Sequence, residues 1–162
     1  MKRKHFLLLL SLLIVFLIVF LVACSANSSN QPISPLRLYF ASVLDHGPAL
    51  AWEPFPDSNP TPEELILALL DGPSSVELRS PFPSGLSLLS CQLDQGLLTV
   101  DFSEQYGGLS AIDLTLSDYS LVLTLCQLEE VDALSITVSG RPLPYRSHHT
   151  LSYQEALLSL EE

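Results

Sequence analysis

Lysine is nearly missing from this chain: Lys2 and Lys4 are its only occurrences in 162 residues. Beyond residue 23, four arginines stand against eighteen acidic side chains, a net charge of −14. Nucleic-acid backbones are bound by clustered cations, so nucleic acid is excluded as a partner. Cysteine is scarce too, and three residues cannot build the disulfide framework of a small secreted domain. The chain has no Gly-x-Ser-x-Gly elbow, no phosphate-binding Walker loop and no dinucleotide glycine pattern. Histidine beyond the N-terminus is limited to His46, His148 and His149, and none forms a ligand set with Cys or Asp. The adjacent pair His148-His149 reads as solvated loop. The acidic pairs Glu63-Glu64, Glu129-Glu130 and Glu161-Glu162 have no sign of the opposed environments that catalytic carboxylates need. No cofactor, no metal and no enzymatic activity are expected.

Long apolar runs are confined to the N-terminus. Met1 to His5 is a short basic head, and Phe6 to Val22 is apolar except for Ser11. Small residues follow, as in a secretory signal. Leu21-Val22-Ala23-Cys24 resembles the bacterial lipobox, in which the cysteine is acylated and the bond before it is cleaved. The resemblance makes residues 1–23 a lipoprotein signal peptide and Cys24 the lipidated first residue. The alternative is an uncleaved anchor, for which 17 apolar residues are near the lower limit of about 17–25. Either way the positive head places the rest outside the cytoplasm. Two acyl chains hold a protein on a membrane stably, whereas one does not. Residues 24–35 are polar, with Ser, Asn and two prolines, and read as a flexible tether.

From residue 36 the pattern changes to strands and two helices. Leu36 to Phe40 and Ala49 to Glu53 read as strands around an Asp45-His46-Gly47-Pro48 turn. Thr61-Pro62-Glu63-Glu64 is a capping box with proline at the first helical position. Leu65, Ile66, Leu69 and Leu70 form that helix's apolar face, and Gly72-Pro73 stops it. Leu86 to Leu93 and Leu97 to Phe102 flank Asp94-Gln95-Gly96, a hairpin signal. In that hairpin Leu89, Cys91 and Leu93 are expected on the buried face with Leu98, Val100 and Phe102. Ser110 with Asp113 caps a second helix over 111–129, its apolar face carried by Ile112, Leu116, Tyr119, Leu123 and Cys126. Val131 to Val138 is a further strand. Ser152 with Glu155 starts a short tail helix whose Leu157, Leu158 and Leu160 need a partner surface.

These landmarks fall in a recognisable order: LRLYF at 36–40, PTPEELILALLDGP at 60–73, PSGLSLLSCQLDQGLLTVDFSEQY at 83–106 and LVLTLCQLEEVDALSITVSGRPL at 121–143. Together they resemble the GerMN domain family of sporulation and spore germination proteins. The resemblance covers 36–143 and leaves 144–162 as a tail with a short helix. It implies an α/β (α+β) fold, two helices packed on a small mixed sheet, similar to ring-building modules. It implies an extracytoplasmic, often lipid-anchored protein whose partners are envelope or sporulation proteins, or further copies of itself. It transfers no binding residues.

Two readings follow. The first is a non-enzymatic assembly module held on the outer face of the cell membrane by Cys24. The second is a module binding a small ligand or peptidoglycan fragment through the proline-rich loops 53–60 and 80–84, with Trp52, Phe55 and Phe82 offering aromatic surface. A hydrolase lacks any nucleophile–base pair. For Cys91 and Cys126, export permits a disulfide; the alternative is two buried thiols acting as small apolar residues.

Overall fold

In the computed structural model, which describes residues 35–44, 49–144 and 149–160, β1 (Arg37–Ser42) is followed by an antiparallel β2 (Leu50–Pro54). Leu38 and Phe40 are buried while Arg37 is exposed, the two-residue period of a strand. A short β3 (Leu78–Arg79) pairs with the end of β1, giving a first sheet of order β2-β1-β3. Between them lies α1 (Pro62–Asp71), capped as the sequence predicts. The Thr61 hydroxyl accepts from the Glu64 N–H at 3.3 Å, and the Glu64 carboxylate accepts from the Thr61 N–H at 2.7 Å. Leu65, Ile66 and Leu69 are buried, and Gly72 ends the helix at φ +90°.

The second sheet starts with β4 (Leu88–Asp94) and β5 (Leu97–Phe102). Gln95 and Gly96 join them with φ of 48° and 84°, the paired positive values of a primed two-residue turn. Glycine is required at 96 for a second reason: a Cβ there would overlap the Asp132 carboxylate. The Gly96 carbonyl accepts from the Asp132 and Ala133 N–H groups at 2.8 and 3.2 Å, docking the turn on β6 (Ala133–Val138). β6 lies parallel to β5. Parallel neighbours need a crossover; here it is a 3-10 turn (Glu104–Gly108) followed by α2 (Ala111–Leu125). The other edge of β6 is shared by β7 (Arg141–Pro142) and β8 (Thr150–Ser152). Thus the segment after Leu143 returns to the sheet before forming α3 (Tyr153–Leu160). In α3, Ala156 is buried and Leu157 is exposed.

Two expectations need correction. The second helix ends at Leu125, with Cys126 at its C-cap, rather than reaching Glu129. Its buried side is also different. Ile112 is 75% exposed, and every residue from Ser120 to Leu125 is buried. This helix is enclosed by β1, α1, α3 and β8, so a one-sided stripe does not describe it. The α+β architecture, two main helices packed on sheet that is partly mixed, is as expected, with the strands divided between a three-stranded antiparallel sheet and a five-stranded mixed one. The cause of that division lies on β1, where α2 occupies the edge that a further strand would need. A single cluster of buried residues joins both sheets and both main helices, including Phe40, Ile66, Val100, Phe102, Leu121 and Ile136.

Candidate interaction surface

The edge of β1 next to α2 is closed by side chains. The Tyr39 N–H donates to Thr124 Oγ1 at 3.1 Å, and Ser120 Oγ donates to the Tyr39 carbonyl. The Arg37 N–H donates to Gln127 Oε1 at 3.0 Å, and Gln127 Nε2 donates to the Arg37 carbonyl at 2.8 Å. Residues 120 and 124 share one face of α2, Gln127 follows in the turn just past its end, and residues 37 and 39 present their backbone groups to one strand edge. The helix therefore imitates a paired strand, and β3 continues the same edge at Ala41. The sequence carries the signal, polar residues at spacings of four and three that run past the helix end, but an apolar face alone does not reveal it.

The outer edge of β4 is different. No strand among the described residues pairs with it. Leu89 is 53% exposed and Leu93 41% exposed, against the expectation that both are buried. A register shift between Leu88 and Ser90 places Leu89 in a bulge, which turns a strand locally. Leu93 stands opposite the buried Leu98, yet as an edge residue it has no neighbour beyond it. Unpaired backbone groups beside exposed leucines form a template for strand addition.

The cysteines lie in separate environments. Cys91, on β4, is half-buried near Glu63 of α1; burial, then the Glu63 charge, pushes its thiol above the ordinary range. Cys126 lies near Tyr153 and Asp132; burial pushes its thiol up to about 11, opposed by a backbone hydrogen bond from Tyr153 and helped by the Asp132 charge. Both are free thiols. Cys24 is outside the described residues, as are His46 and His148. Among the described residues no cluster of His, Cys, Asp or Glu is placed to hold a metal ion. Glu64 belongs to the α1 cap, Glu129 and Glu130 are exposed after α2, and Glu161-Glu162 lies outside the described residues.

The three aromatic residues of the ligand-binding reading part company. Phe55 and Phe82 pack against the core, whereas Trp52 is 46% exposed beneath Arg37. An open cleft of about 600 Å³ lies instead at the C-terminal ends of β5 and β6, lined by Glu104, Gly107, Gly108, Val138, Ser139 and Arg141. In the 3-10 turn that supplies Glu104, Gly107 and Gly108, the Tyr106 hydroxyl donates to the buried Asp118 carboxylate at 2.6 Å, and the Tyr106 ring stacks on Phe102 at 5.0 Å. Sequence reasoning did not find this buried pair, because an acid inside an apolar helix reads as a solvated position.

A family model described as Germane, sporulation and spore germination, matches residues 37–144. Three solved structures share the fold. Tandem GerMN domains of the sporulation protein GerM from Bacillus subtilis align at 24% identity and a TM-score of 0.56, over 78% of this chain and 48% of that one. The chain thus spans about half the length of the tandem. The first GerMN domain of the same protein aligns at 20% identity and 0.58, over 74% of this chain and 98% of that one. A candidate lipoprotein from Clostridium perfringens aligns at 20% identity and 0.51, over 78% of this chain and 93% of that one. Among curated proteins, none matches.

Proposed function

Because the chain belongs to the Germane family of sporulation and spore germination domains, we propose that it is a lipid-anchored, extracytoplasmic, non-enzymatic assembly module of the cell envelope. The observation that carries this reading is Leu21-Val22-Ala23-Cys24, at the end of an apolar segment and ahead of a polar tether. Cys24 is the acylation site, and the domain works by contact. The open edge of β4 is where a partner adds, either an envelope or sporulation protein or a second copy. The likeness to a candidate lipoprotein supports the anchor, and the likeness to GerM domains supports a role in sporulation or germination. Among the described residues no helix is long and apolar enough to cross a membrane.

The test is metabolic labelling with a fatty-acid probe, followed by membrane fractionation. The chain takes up label and sediments with membranes, and Cys24→Ala abolishes both. A chain that stays unlabelled and is recovered in the cytosol overturns the proposal. The cleft beside Arg141 favours one second reading, binding of a peptidoglycan fragment. That reading requires a rise in melting temperature with soluble muropeptides that Arg141→Ala removes.

A further inference from the structure

The outer face of the first sheet carries Arg37, Tyr39, Trp52 and Pro54, set by the pairs Arg37↔Pro54 and Tyr39↔Trp52. Further along, Ala41 and Leu50 are buried, so the face is open at the end nearest the tether. There the Arg37 guanidinium lies 4.4 Å from the centre of the Trp52 ring. Stacking occupies the flat face of a guanidinium and leaves its in-plane N–H donors for phosphate oxygens. The Arg37 backbone is held on both sides of its edge by Gln127, so this donor array starts from a fixed strand position.

Charge on this face departs from that of the chain. Arg79, opposite Ala41, also belongs to it and is exposed. The one carboxylate of β2, Glu53, stands opposite Leu38 on the other face, and its oxygens accept from the Ser74 and Ser75 N–H groups. A domain of net −14 therefore places two of its four arginines on the sheet that carries its only tryptophan, Arg37 directly over the indole. Indole and guanidinium together are the side chains that settle at a lipid headgroup boundary.

Position decides the occupant. Residues 25–36 separate Cys24 from the first sheet, and twelve residues span at most about 43 Å when fully extended. We propose that this face rests on the phospholipid headgroups of the membrane that holds the anchor, with Arg37 and Arg79 on phosphates and Trp52 at the boundary. The proposal depends on acylation of Cys24. It does not require a strong contact, since a short linker raises effective concentration to about the millimolar range, where weak binding is enough. The acidic remainder of the domain, repelled by the anionic surface, orients the basic face toward it.

Trp52 is the sole tryptophan of the chain and reports its own surroundings. The full chain, processed in a bacterial host, is reconstituted into vesicles of phosphatidylglycerol and phosphatidylcholine brominated high in its acyl chains. The expected result is Trp52 fluorescence quenched about twofold or more relative to unbrominated vesicles, as for an interfacial indole. Arg37→Glu and Arg79→Glu, checked for native circular dichroism, each weaken the quenching. An acyl adduct on Cys24 by mass spectrometry with unquenched Trp52 overturns this proposal alone. Quenching that survives in both charge variants overturns the headgroup contact. A missing adduct overturns the anchoring reading and this inference with it.

Discussion

The start of β1 and the outer edge of β4 both lack a strand partner among the described residues, and the molecule treats these edges in opposite ways. On β1, Ser120 and Thr124 of α2, with Gln127 just past its end, satisfy both the N–H and the C=O of residues 37 and 39. On β4, the outer edge is bare among the described residues, with two leucines beside it and a bulge near its start. An unpaired edge is a hazard that proteins cover unless they use it. A fold that commits Ser120, Thr124 and Gln127 to closing one edge and leaves the other open has the asymmetry on which the proposed strand addition rests.

The contrast can be broken from either side. The largest effect on stability is expected from the triple substitution Ser120→Ala, Thr124→Val and Gln127→Ala. It strips partners from four backbone groups of β1, and at about 1 kcal/mol per lost hydrogen bond the sum is about 4 kcal/mol. Urea unfolding measures it. Gly96→Ala acts on the other side, at the turn that fixes β4 against β5. A positive φ of 84° and overlap with Asp132 cost about 1–3 kcal/mol. Loss of amide protection in β4 before β1 would mark that effect as local.

A smaller effect comes from pH. The Cys126 thiol, ordinarily near 9.0, is pushed to about 11 in the folded chain. Folding therefore favours the protonated thiol, a contribution present below pH 9 and lost as pH rises towards 11. The melting temperature of the chain should fall more steeply over that window than that of Cys126→Ala. The smallest effect on stability is expected from Leu89→Lys with Leu93→Lys, within about 0.5 kcal/mol because both side chains are already exposed. Yet charge on an edge is what blocks strand addition, so the same pair should abolish partner capture. Stability and capture thus separate at β4 and stay linked at β1.

Much of the fold was legible because local chemistry and tertiary structure agree. Thr61, Pro62 and Glu64 announce α1, and Gln95-Gly96 announces the hairpin. The strands β3 and β7, of two residues each, carry no period to read. Nor did the division into two sheets show itself, since it depends on helix side chains standing in for a strand. The face of α2 was misread because period analysis assumes one wet side, and this helix has little of one. At the candidate surface, alternation alone put Leu89 inside; the bulge that turns it out leaves no mark in the residue order. Cys24 is the opposite case, a site read from four residues and an apolar run with no help from the fold.

The most direct measurement is photo-crosslinking in native envelopes, with a benzophenone side chain placed at Leu93 on the open edge or at Thr115 on the exposed side of α2. The account predicts a discrete protein adduct from position 93 and none from position 115. Adducts from 115 with none from 93 would contradict it.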